Sequence, residues 1–147
     1  MTLLIALDDS AYAETTLAWV LAHPWPAQTR ARVLSVAPVD VIDFDALGGN
    51  AGSDLARRLQ QERVRAHEAI VEGAAPKLRA AGLDVVTKVR VGDPRDAIVR
   101  EVEEEPVDLV VVGSHGRTGL ARMLLGSVAG YVVAHAPANV AVIKRRA

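Results

Sequence analysis

The stretch from Val110 to Ala136, VVVGSHGRTGLARMLLGSVAGYVVAHA, sets Gly113, Gly116, Gly126 and Ser127 where an apolar run gives way to helical spacing. Glycine at such a junction lets the backbone turn sharply and meet a ligand with no Cβ in the way, so that peptide N–H groups face an anion. A helix opening at Gly126 and Ser127 adds unpaired N–H groups and the positive end of its dipole, and the Ser127 hydroxyl is a further donor. The four residues therefore read as a phosphate cradle that uses no lysine. Two common nucleotide signatures are absent, since no Gly-Lys-Ser/Thr follows the apolar run and no G-x-G-x-x-G occurs. A purely structural reading stands beside this one. In it Gly113 is a strand-exit turn, Gly126 the left-handed cap of a short helix from about Thr118 to Leu125, and Ser127 an N-cap.

Asp8 and Asp9 offer a second set of groups. Either caps the following helix, or Asp8 accepts hydrogen bonds from a ribose or base while Asp9 holds a cation. His115 in the glycine turn is either a polar ligand contact or a solvated loop histidine, and Arg117 and Arg122 either lean onto phosphates or are surface charges.

These residues need a scaffold that brings both ends of the chain together. Leu3 to Leu7 is a short continuous apolar run, as expected of a strand covered on both faces, and an amphipathic segment follows it up to His23-Pro24. Ala31 to Val39 reads as a second strand, and Val41 to Gly52 as a long loop rich in glycine and acid. From Ser53 a long helix begins, with Leu55, Leu59, Ala66, Ile70, Ala74 and Leu78 along one face, a bend or break expected at Pro76, and Gly82 closing it. Leu83 to Val91 is a third strand near a sheet edge. Asp93 then caps a helix whose first residue is Pro94. A fourth strand ends at Gly113, the last helix turns Val128, Val132 and Val133 inward, and Asn139 to Lys144 is a fifth strand. Strands alternating with helices specify a parallel sheet between helical layers with right-handed crossovers, an α/β architecture. Ligands in such sheets sit beyond the carboxyl ends of the strands where the winding reverses. If the first and fourth strands are neighbours, DDS and GSHG face each other there.

Composition narrows the function. The chain has 147 residues, half of them hydrophobic, which suits one domain over residues 1–147. Its formal net charge of −1 gives no general attraction for nucleic acid or an anionic membrane. No cysteine is present, so disulfides, thiolate metal sites and cysteine nucleophiles are excluded. The apolar start is too short for a membrane span or a leader, and the expected location is the cytoplasm.

At the glycines the sequence closely resembles the branch of the universal stress protein family whose signature is G-x2-G-x9-G-[S/T], here Gly113, Gly116, Gly126 and Ser127. The resemblance extends to LLIALDDS, VRVGDPRDAIV and GSVAGYVVAHAPANVAVIK. It implies a Rossmann-like, HUP-type, three-layer α/β/α sandwich with a five-stranded parallel sheet in the order 3-2-1-4-5. It also implies ATP binding. In that reading Ala6 and Leu7 meet the base, Asp8 the ribose or adenine side, and Val36 helps to enclose adenine. Gly113, His115, Gly116 and Arg117 line the ribose and phosphates, while Gly126, Ser127 and Val128 hold the phosphate chain. Many family members have glycine after the first aspartate where this chain has Asp9, an added carboxylate that Mg or Mn on the phosphates, or Arg117, would offset. Gly92, Asp93 and Pro94 resemble the family too, but on a strand at the sheet edge they are expected to be structural. The last strand would leave an apolar edge, and an identical strand running antiparallel closes a two-fold homodimer through Asn139 to Lys144, as in similar family members. The expected function is an ATP-binding stress-response regulator. The alternatives are an interaction dimer that uses no nucleotide, and a slow ATPase with a metal on Asp8 or Asp9 and help from His115 or Arg117.

Overall fold

A computed structural model of the chain describes residues 1–39, 50–116 and 125–145. The elements run β1 (Thr2–Ala6), α1 (Ala11–Ala22), β2 (Arg30–Ala37), α2 (Asn50–Ala80), β3 (Asp84–Val91), α3 (Pro94–Glu104), β4 (Leu109–Gly113), α4 (Ser127–His135) and β5 (Asn139–Ile143). All pairings are parallel and the strand order is β3-β2-β1-β4-β5. β1 and β4 are thus neighbours at the point where the winding direction reverses.

The alternation of side chains along the central strands explains both helical layers. Leu3, Ile5, Val33 and Val111 point to one face, where they pack with Val20 of α1 and Val71, Ala74, Ala75 and Leu78 of α2. Leu4, Leu34, Val110 and Val112 point to the other, against Ile98 and Val102 of α3 and Ala129 and Val132 of α4. A strand apolar at every position is the signature of a sheet buried on both sides. Among the described residues no helix is long and apolar enough to cross a membrane.

Four expectations are corrected. α2 begins at Asn50, so the last residues of the expected loop are helical, while positions 41–49 lie outside the described residues. Leu55, Leu59 and Ala66 are exposed, and the buried line is Ala56, His67, Val71, Ala74 and Leu78. The reason is angular drift. At 3.6 residues per turn Ala56 lies directly in line with Ala74, whereas Leu55 lies about 100° round the helix. The helix also continues through Pro76 to Ala80 without interruption, because Pro76 and Glu72 sit on the exposed side, where water can take the carbonyl that proline leaves free. In α4, Val133 is exposed and Ala129 takes the inward place beside Val132.

The helix ends follow local chemistry. Gly82, at φ +88°, closes α2, with its own N–H reaching Arg79 O at 2.9 Å and that of Leu83 reaching Leu78 O at 3.2 Å. Asp93 caps α3 by accepting from the Arg95 amide, with Pro94 as the first helical residue.

Candidate functional site

A cleft of about 230 Å³ opens beyond the carboxyl ends of β1, β2 and β4. Around it the fold gathers Ala6, Leu7, Asp8, Val36, Gly113, His115, Gly116, Ser127 and Val128, residues that lie up to 122 positions apart in the chain. Arg117 falls outside the described residues, as does Arg122.

The β1 side is built by short local bonds. Ser10, not Asp8 or Asp9, caps α1, accepting from the Tyr12 amide at 3.2 Å. Asp8 Oδ1 accepts from the Ser10 amide at 3.0 Å and from its hydroxyl at 2.5 Å, an Asx-type turn that fixes the carboxylate at the strand exit. The capping expected of an aspartate is thus displaced by two residues, since Ser10 reaches the first turn and Asp8 orients Ser10. Asp9 is exposed and does not line the cleft. Among the described residues no group of three or more His, Asp or Glu could by itself hold a metal ion.

The β4 side depends on missing side chains. A Cβ on Gly116 would stand 3.0 Å from Asp8 Oδ2, so the glycine lets the two loops approach across the mouth. A Cβ on Gly126 would meet Ser114 O at 3.0 Å and His115 Cα at 3.1 Å, both backbone atoms. Gly126 has φ −67° and ψ 163° and is the N-cap of α4, which removes the left-handed cap reading. Its amide donates to Ser114 O at 2.7 Å, and the Ser114 amide donates to Ile143 O at 2.8 Å. Gly126 therefore pins the Ser114–His115 turn against the head of α4, with its own N–H already engaged. The first intrahelical bond of α4 runs from Gly130 to Gly126 O, which leaves the amides of Ser127, Val128 and Ala129 without a helical acceptor. Those three, with the Ser127 hydroxyl, are the donors at this end of the cleft. His115 Nδ1 lies 3.1 Å from Ser114 Oγ, and its ring sits 5.5 Å from that of Tyr12.

The walls are apolar, formed by Leu34, Val36, Ile98 and Val112 with Pro38 and Pro94 at the rim. Pro94 corrects the expectation that its segment stays clear of the crevice. β3 lies at the sheet edge, but α3 crosses back over β2 and carries its N-terminus to the mouth. Tyr12, Thr16 and His67 also line the cleft. Tyr12 and Thr16 sit on the first turns of α1, just past Asp8, and that short distance was the available signal. Nothing in the sequence distinguishes His67, whose approach depends on how α2 lies across the sheet.

The sequence pattern of the universal stress protein family matches residues 1–144. Universal stress protein MJ0577 of Methanocaldococcus jannaschii is 38% identical over 76 residues, which are 52% of this chain and 47% of that protein. Universal stress protein Sll1388 of Synechocystis is 28% identical over 149 residues, covering 97% and 96% of the two chains. The chain thus spans about half the length of the first relative and nearly all of the second. Its fold superposes on the solved structure of MJ0577 with a TM-score of 0.79 at 29% identity, covering 99% of this chain and 96% of that one. A family member from Arabidopsis thaliana, solved with AMP bound, shares the fold with a TM-score of 0.69 at 21% identity over 100% and 93% of the chains. With the family pattern running from the first strand through the last and the sheet order to match, the chain belongs to the universal stress protein family.

Proposed function

We propose that the cleft binds ATP and that the protein acts as a nucleotide-dependent switch or scaffold in a stress response, as a homodimer. The observation that carries this reading is a set of backbone donors facing the cleft from two sides. At one end stand the Ser127, Val128 and Ala129 amides, and Gly116, which also lines the cleft, brings no Cβ into it. A phosphate chain there gains several charge-assisted hydrogen bonds and the favourable end of the helix dipole.

At the other end is Val36. β1 stops pairing with β2 at Ala6 and Leu34, while β2 continues to Ala37. Leu34 O accepts from the Leu7 amide and Ala37 O from the Gly92 amide, so by the alternation of a parallel ladder the Val36 peptide groups point to the β1 side, past the end of that strand. One donor and one acceptor side by side complement the N1 and N6 edge of adenine, and the apolar walls cover its faces. The Asp8 carboxylate suits ribose hydroxyls, and with phosphate oxygens it would supply the hard ligands that Mg or Mn requires. The AMP held by the Arabidopsis member supports an adenine nucleotide as the ligand class.

The dimer reading rests on β5, the edge beyond β4, whose Val140, Ala141 and Val142 are half-buried. Ile143 O faces β4, so the peptide groups of Val140 and Val142 face outward and are available to a second copy of the strand.

Calorimetry with ATP tests the site. A Gly116→Val, Gly126→Val double variant should lose binding by more than about a hundredfold, a difference of roughly 3 kcal/mol, and equal affinity in both proteins would remove it. Sedimentation tests the dimer. Val142→Pro deletes an outward N–H while leaving the bonds to β4 untouched, so it should yield monomers; a wild type that sediments as a monomer ends this part of the reading.

A further inference from the structure

Buried between the sheet and α2 is a polar chain that the cradle does not use. Ser35 Oγ donates to Leu7 O at 2.7 Å, and His67 Nδ1 lies 2.7 Å from the same Ser35 oxygen. Ser35, His67 and Leu7 are 1%, 4% and 5% exposed, so water does not complete these bonds. The serine hydroxyl has a single hydrogen, and a carbonyl can only accept. With that hydrogen on Leu7, the Ser35 oxygen accepts from His67, which makes Nδ1–H the donor. Along α2 the neighbours of His67 on the buried line, Val71 and Ala74, are apolar. An apolar residue at position 67 would pack there without the desolvation that three buried polar groups incur.

What the chain accomplishes is visible in the ladder. After the Leu7 amide bonds Leu34 O, the next bond of a regular parallel ladder would run from the Val36 amide to the Leu7 carbonyl. Pairing instead ends at Ala6 and Leu34, and the Leu7 carbonyl takes the Ser35 hydroxyl. Val36, 7% exposed, lines the cleft, and by the alternation of the ladder its amide points to the side where β1 has ended.

We propose that Ser35 and His67 are positioning residues that hold the Leu7 carbonyl away from β2, keeping the Val36 peptide open for the base of the bound nucleotide. His67 acts through Ser35, because its N–H occupies the serine lone pair and aims the hydroxyl at Leu7. The inference deepens the nucleotide reading and rests on it.

The test uses Ser35→Ala, His67→Leu and His67→Asn in the full chain. Amide exchange at Val36 is followed by NMR without ligand, ATP affinity by calorimetry, and folding by thermal melting. In Ser35→Ala the Leu7 carbonyl is free to capture the Val36 amide, so exchange at Val36 should slow by about tenfold and ATP should bind about tenfold more weakly, the effect of one hydrogen bond. His67→Leu leaves the hydroxyl present but unaimed and should show the same changes at about a third of that size. His67→Asn, whose side-chain N–H reaches the place of Nδ1–H, should recover both readouts to within about twofold. A purely structural histidine would lower the melting temperature without moving Val36 exchange. Unchanged Val36 exchange in Ser35→Ala overturns the inference, and so does unchanged ATP affinity in that variant beside a wild type that binds. A wild type that binds no ATP overturns the nucleotide reading itself and, with it, the role toward a base.

Discussion

The cleft and the outer side of α3 both hold polar groups at the edge of the core, and they treat them in opposite ways. On α3, Glu101 is fully buried, yet three cations reach its carboxylate: Arg32 Nε at 3.4 Å, Lys88 Nζ at 3.0 Å and Arg90 Nε at 2.5 Å. Arg32 and Lys88 also pair with Glu105, and Arg90 with Glu104, so every charge in the group has a partner within the chain. At the cleft the Ser127, Val128 and Ala129 amides have no helical acceptor, and the Val36 amide lies past the end of the β1 pairing. Polar groups that hold a fold together are satisfied internally, because an unpaired buried charge is destabilising. Groups that await a ligand remain unsatisfied until it arrives.

The contrast is broken most severely by removing the centre of the network. Glu101→Leu leaves three cations converging on an apolar side chain. Because those cations retain some exposure, the loss should fall near the low end for a buried ion pair, about 3 kcal/mol in urea denaturation. If the division of labour is correct, ATP affinity in the surviving folded protein changes by less than about twofold, well under 1 kcal/mol. A large loss of affinity at unchanged stability would mean that the network belongs to the site.

Gly126→Ala probes the other side. Its new Cβ would press on Ser114 O and His115 Cα, backbone atoms that cannot swing aside, so the turn must shift. About 1–2 kcal/mol of stability should be lost, with ATP binding weakened by at least about tenfold. Gly73→Ala is the control, because nothing lies within 4 Å of a Cβ there and the site is mid-helix in α2. It should gain about 0.5–1 kcal/mol with no effect on nucleotide.

How far these features were legible in the sequence depended on the range of the interactions behind them. The strand pattern and the glycine spacing were legible because a doubly covered strand is apolar at every position, and because a close backbone approach tolerates no side chain. Asp93 and Pro94 announced the start of α3 through cap chemistry confined to three residues. The buried face of α2 was misread because Leu55 and Leu59 draw attention as large apolar residues, while the position in register is the small Ala56. Asp8 and Asp9 suit a cap as well as a ligand contact, and residue type does not separate them from Ser10; only the backbone path after β1, which starts α1 at Ala11, gives the cap to Ser10. His67 carried no local signal at all. It reaches Ser35 across 32 positions, and only the crossing of α2 over β2 brings them together. The same holds for Glu101, whose three cations come from β2 and β3.

The smallest test of the contrast concerns a group that is paired but exposed. The Arg95 side chain beside Asp93 holds its carboxyl below the usual aspartate range, and the Arg95 amide adds to the effect. Arg90 lowers the carboxyl of Glu104 in the same direction. A carboxyl whose folded pKa is depressed stabilises the fold above its unfolded value, near 4, and that contribution is lost as pH falls through the folded value. Acidification below about pH 4 should therefore erode stability, only slightly at each of these solvated positions. Asp93→Ala removes the cap of α3 and should cost about 1 kcal/mol at pH 7. Asp93→Asn keeps an acceptor for the Arg95 amide but cannot titrate, so its stability at pH 7 should stay within a few tenths of a kcal/mol of wild type while its acid-side slope is shallower. Urea midpoints from pH 2.5 to 7 read both effects. An Asn variant with an undiminished slope would move the acid sensitivity away from the cap of α3 and toward Glu104, the other carboxyl that an arginine holds low.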